Sequence, residues 1–96
     1  MPISSEQLLR HIESLEEQWM RDLQEIVEME SPTTDREAVN RVGAWVAERC
    51  RALGADIETE PSGQPDRGDH VIARFPGENP HEKPILIIAH LDTVWK

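Results

Sequence analysis

Along the first third of the chain Leu8, Ile12, Leu15, Trp19, Leu23 and Ile26 recur at steps of four and three, with mostly polar residues between them. That period lays one apolar stripe along a helix face, so the spacing predicts a single long helix from Ser4 to the Ser31-Pro32 break. Ser4 and Gln7 form a capping-box pattern, and Glu6/Arg10 and Glu17/Arg21 are acid-before-base pairs at the favourable four-residue separation. Each such pair contributes about 0.2–0.5 kcal/mol, whereas burial of one large apolar side chain contributes about 1.5–3 kcal/mol. Packing of the stripe inside a domain is therefore the expected source of the helix's stability. Its polar face is rich in Glu rather than Lys and Arg, which argues against an anionic membrane surface.

After Pro32, Thr34-Asp35-Arg36-Glu37 repeats the capping-box pattern, and Val39, Val42, Val46, Cys50 and Leu53 share the face of a second helix that Gly54 ends. Residues 55–60 alternate apolar and polar and predict a half-exposed strand. Residues 61–68, rich in Pro, Gly and Ser, predict a loop; His70 to Phe75 predicts a second strand, and residues 76–80 a turn. The run Ile85-Leu86-Ile87-Ile88-Ala89 predicts a third strand, buried on both faces. Two helices followed by three strands indicate the opening of an α/β domain in which helices cover a sheet.

Charge narrows the partners. A net charge of −9 repels nucleic acid and anionic membrane. No segment has the length and apolarity to span a bilayer, and Met1-Pro2-Ile3-Ser4-Ser5 lacks the features of a signal peptide. A soluble, cytoplasmic protein with Met1 as its natural start is expected. The single cysteine, Cys50, cannot form an internal disulfide and fits a reducing compartment. Its place in the second helix's stripe reads as a small apolar core residue rather than a catalytic thiol. Trp45 reads similarly as core or interface.

Chemistry concentrates after the third apolar run, at His90-Leu91-Asp92-Thr93-Val94. Residues two apart in an extended segment project to the same side, which sets Asp92 beside the ring of His90 while Leu91 points into apolar packing. Metal-bound imidazoles usually donate their other N–H to a carboxylate, and Asp92 is spaced for that task. A strand-end histidine satisfied by backbone, followed by an Asp that caps a turn, would give the same letters, and the spacing alone leaves both readings open. His11 and His81 read as solvent-facing, and His70 as a strand-start residue able to pair with Asp69 or a backbone carbonyl. The triplet Arg67-Gly68-Asp69 reads as a polar turn.

The segment 90–94, reached from an Ile/Leu-rich run, resembles the first signature of the zinc-dependent exopeptidase family of glutamate carboxypeptidase, aminoacylase, acetylornithine deacetylase and succinyl-diaminopimelate desuccinylase. Glu28-Met29-Glu30-Ser31-Pro32-Thr33-Thr34 resembles the family's break between its first two helices, Leu53-Gly54-Ala55 the end of its second helix, and Val71-Ile72-Ala73-Arg74-Phe75-Pro76-Gly77 its first hairpin. The Ser-Pro-Thr-Thr break and Trp95 look closest to the glutamate carboxypeptidase branch. Ala89 departs from the pattern, since many relatives carry Gly before the His.

The resemblance implies a three-layer α/β/α catalytic domain of which residues 1–96 are an incomplete amino-terminal portion. It implies His90 as a zinc ligand and Asp92 as the member of the catalytic apparatus that orients it. It implies two zinc ions, with cobalt or manganese as substitutes, and small peptides or N-acyl amino acids as substrates. The resemblance implies a reaction in which a water activated by the metal and a glutamate base attacks the amide carbonyl. Relatives often carry a smaller dimerisation domain, which implies a homodimer. The remaining ligands and the base would lie beyond Lys96, and the chain alone is expected to be inactive and poorly soluble or oligomeric. The competing reading is a non-catalytic interaction module, in which the amphipathic first helix docks a partner and His90 and Asp92 are structural.

Overall fold

The computed structural model describes residues 3–79 and 81–94, so the expectations that fall on Met1, Pro2, Pro80, Trp95 and Lys96 lie outside the described residues. Three helices and a two-stranded antiparallel sheet are present: α1 (Ser5–Ser14), α2 (Glu16–Glu28), α3 (Arg36–Ala52), β1 (Asp56–Glu60) and β2 (His70–Arg74). The chain is thus a mixed α/β unit.

Helix α1 begins where the capping box places it. The Gln7 amide donates to Ser4 Oγ at 3.1 Å, and the Ser4 amide donates to Gln7 Oε1 at 2.9 Å. The predicted single helix is nevertheless two helices meeting at Leu15. Ser14 Oγ donates to the His11 carbonyl at 2.6 Å, and the Leu15 amide and the Trp19 indole both donate to the Ile12 carbonyl, at 3.1 and 3.3 Å. Side-chain donors that compete for helix carbonyls bend or break the ladder, and hydrophobic spacing carries no trace of them.

The two expected ion pairs are also replaced. Arg10 donates to the Glu6 backbone carbonyl and Arg21 to Gln18 Oε1. Exposed i,i+4 carboxylates attract too weakly to hold one rotamer against such alternatives.

The α1–α2 stripe lies on one side but is not packed. Leu8, Ile12, Leu15, Trp19 and Leu23 are 42–50% exposed, and neither helix contains a buried residue. Expected core packing of this face is therefore absent among the described residues. Helix α2 is instead tied to α3 by Arg49, which reaches Asp22 at 3.1 Å and Glu25 at 3.4 Å while lying over the half-buried Trp45 ring.

Helix α3 forms the core against both strands. Its N-cap is Asp35, one residue later than the Thr34 pattern suggested, and the Asp35 carboxylate accepts from the Ala38 amide at 3.1 Å. Its buried face is Ala38, Val39, Val42, Gly43 and Ala47, with Val46 and Cys50 half-buried and Leu53 76% exposed. Small residues dominate because the helix lies close to the sheet: a methyl at Gly43 would meet Val71 Cγ2 at 3.1 Å. The helix ends in a Schellman arrangement, with Gly54 at φ 101°, its amide donating to the Arg51 carbonyl and the Ala55 amide to the Cys50 carbonyl. Ala55 is buried at that turn.

Strands β1 and β2 pair antiparallel from Asp56 with Arg74 to Glu60 with His70, within the bounds expected for the first two strands, but residues 71–77 are not themselves a hairpin, because β2 ends at Arg74 and pairs back onto β1. The amino-terminal turns of α3 hold the approach to β2. Asn40 Oδ1 accepts from the Asp69 amide at 2.8 Å, and Arg36 reaches the Asp69 carboxylate at 3.2 Å. The Asp69 carboxylate, one of the two partners open to His70, is thereby engaged by Arg36.

The third strand is the largest correction. Residues 85–89 form no strand, and residues 85–88 are 80–91% exposed. An apolar run becomes a strand only when a neighbour supplies ladder partners, and no described residue pairs with it.

Candidate metal-ligand pair and its anchor

The chain returns to the domain only after this uncovered run. Leu91 turns towards α3, where its Cδ1 lies 3.8 Å from the point a methyl on Gly43 would occupy. Thr93 then forms an isolated parallel bridge with Pro32. The Thr93 amide donates to the carbonyl of buried Ser31 at 2.7 Å, and the Thr33 amide donates to the Thr93 carbonyl at 2.9 Å. Proline is tolerated at the centre of this bridge because its flanking residues supply the donor and the acceptor. The helix break 31–34 and the His-Asp segment are therefore neighbours in space.

Anchored this way, His90 and Asp92 are brought together as their spacing suggested. Nδ1 of His90 lies 3.5 Å from Oδ1 of Asp92, a long electrostatic contact. The His90 side chain is 93% exposed, so Nε2 is open to solvent, while Asp92 is 33% exposed. The other carboxylate oxygen, Oδ2, accepts a 2.7 Å hydrogen bond from Thr33 Oγ1. Thr33 Oγ1 also lies 3.2 Å from the Thr93 carbonyl, but the shorter contact to the charged oxygen takes the proton. This hydroxyl is the main reason that the Asp92 carboxyl sits below the ordinary aspartate range; partial burial opposes it, and the Asp92 backbone and His90 add smaller lowering effects.

Thr33 was not singled out as a partner of Asp92 by sequence reasoning. Its segment stands out as a helix break, but nothing in local spacing links it to a carboxylate 59 positions away.

Between the exposed 85–88 run and the sheet lies an open cleft of about 1670 Å³, walled by Val71, Ile72, Ala73 and Phe75, with His90 and Asp92 also on its lining. Small-molecule sites are usually about 300–1,000 Å³ and enclosed, so this is an uncovered apolar gap rather than a shaped pocket. Among the described residues no group of three or more His, Cys, Asp or Glu side chains is placed to hold a metal ion. Zinc would find one exposed imidazole there with a carboxylate 3.5 Å from its Nδ1, where a complete site needs three protein ligands and water, or four. His11, His70 and His81 are all exposed and none joins His90 in such a group. No helix among the described residues is long and apolar enough to cross a membrane.

Comparison of the chain with protein-family models, with curated proteins and with solved structures gave no match.

Proposed function

We propose that this chain is the amino-terminal part of the three-layer α/β/α catalytic domain of a cytoplasmic zinc-dependent exopeptidase or amidohydrolase. In this reading the protein cleaves small peptides or N-acyl amino acids at an amide bond beside an amino acid. The observation that carries it is the division of labour at Asp92: one oxygen held by Thr33, the other facing Nδ1 of an exposed imidazole. That arrangement favours a proton on Nδ1 and leaves Nε2 as the donor towards a metal. Zinc held there supplies polarisation of the amide carbonyl and acidification of a water. The remaining ligands and the general base are assigned to further polypeptide, because one imidazole does not make a zinc site.

The reading is tested by zinc titration of the ¹⁵N-labelled chain, followed at each histidine ring and repeated with His90→Ala. Zinc is expected to perturb His90 before His11, His70 and His81, and most of the binding is expected to disappear in the variant. Equal zinc binding by both proteins removes His90 from the metal shell.

The exposed apolar stripe of α1 and α2 favours a second reading, an interaction module whose helical face docks a partner. In that case His90 and Asp92 close the fold at the Pro32–Thr93 bridge, and zinc shows no preference among the four histidines.

A further inference from the structure

We propose that Thr33 is a positioning residue for the His90–Asp92 pair, its hydroxyl fixing Oδ2 of Asp92 so that Oδ1 is aimed at Nδ1 of His90. The metal consequence rests on the zinc-ligand reading of His90; the positioning itself does not.

The terminal torsion of an aspartate is broad, so an exposed Asp92 would present either oxygen to the ring at many angles. A 2.7 Å bond to one oxygen removes that freedom. Thr33 is itself well placed to impose a direction. Its χ1 is restricted by β-branching, and its backbone amide is held by the Thr93 carbonyl at 2.9 Å. The bridge at Pro32 and Thr93 is made by two backbone hydrogen bonds, Thr93 to Ser31 and Thr33 to Thr93, which need no hydroxyl. Positioning and tethering are therefore separable by substitution: the side chain aims the carboxylate, and the backbone joins the segments.

The separation predicts a spectroscopic signature that a merely structural threonine would not produce. Long-range ¹H–¹⁵N correlation at a pH where histidine is neutral reports the Nδ1–H to Nε2–H ratio at each ring, with exposed His11 and His81 as internal references. His90 is expected to be enriched in Nδ1–H relative to the references. Thr33→Val is expected to lower that ratio at least twofold and to weaken zinc binding roughly tenfold, while Thr33→Ser restores both. A Thr33→Val protein that keeps the wild-type ratio overturns the proposal.

If Thr33→Val disturbs the bridge, seen in the Thr33 and Thr93 amide shifts, Thr33→Ser decides, and a serine variant without the enrichment also overturns it. If the ratio follows the hydroxyl but zinc leaves His90 unperturbed, the positioning role stands and the zinc reading falls.

Discussion

Asp92 is held as a carboxylate chiefly by the Thr33 hydroxyl, and this gives the junction between residues 31–33 and 92–93 a defined pH dependence. Its folded-state pKa is depressed, so its stabilising contribution is complete above the value of an unfolded aspartate, about 3.9, and is lost as pH falls through the lower folded value. The junction is therefore expected to be insensitive to pH between about 5 and 8 as far as Asp92 is concerned, and to loosen only in acid. A side-chain ¹³C titration of Asp92 should give a midpoint below that of an unstructured aspartate, with the Thr33 amide shift following it. A midpoint at or above the unstructured value would mean that the Thr33 bond does not persist in solution. The His-x-Asp pair was legible in the sequence because a two-residue spacing sets two side chains on one side of an extended segment. Thr33 was not, because its contact is made by the fold across 59 positions.

Element ends set by local chemistry were mostly legible, although α3 is capped by Asp35 rather than Thr34. Ser4 and Gln7 cap α1, Gly54 ends α3 in a left-handed conformation, and the two strands of the hairpin fall close to where alternation placed them. Elements that depend on competing or distant partners were not. Ser14 and Trp19 divide the first helix through backbone carbonyls, and the 85–89 run lacks a ladder neighbour despite its strand-like composition. Gly68 shows a constraint of the second kind. A Cβ there would lie 2.4 Å from Val39 Cγ1 and 2.7 Å from Val39 Cβ, so the loop approaches α3 more closely than any side chain allows. Gly68→Ala is expected to destabilise the fold by about 1–3 kcal/mol, read as a lower urea midpoint. Gly77→Ala, with nothing within 4 Å of the added methyl, is expected to be nearly neutral. Equal midpoints for the two variants would show that α3 and the loop are not packed as described.

At the scale of the whole molecule, a mixed α/β arrangement was legible from the order of periodic segments, but the covering of each apolar face was not, since periodicity reports which face is apolar and not what covers it. The core is small, comprising Ala38, Val39, Val42, Ala47 and Ala55, while Ile85, Leu86, Ile87 and Ile88 and the α1–α2 stripe remain exposed. Apolar surface of this extent is expected to drive association even against a net charge of −9. Sedimentation velocity is expected to show concentration-dependent oligomers, and Ile85→Lys combined with Ile87→Lys is expected to shift them towards monomer. A monomer at every concentration would contradict the exposure described for this surface. The proposed zinc chemistry needs an imidazole aimed outward and braced by the neighbouring acid, and the site-resolved zinc titration tests that most directly. That chemistry predicts that zinc perturbs His90 first among the four histidines and that His90→Ala abolishes the preferred site; perturbation spread evenly over His11, His70, His81 and His90 would contradict it.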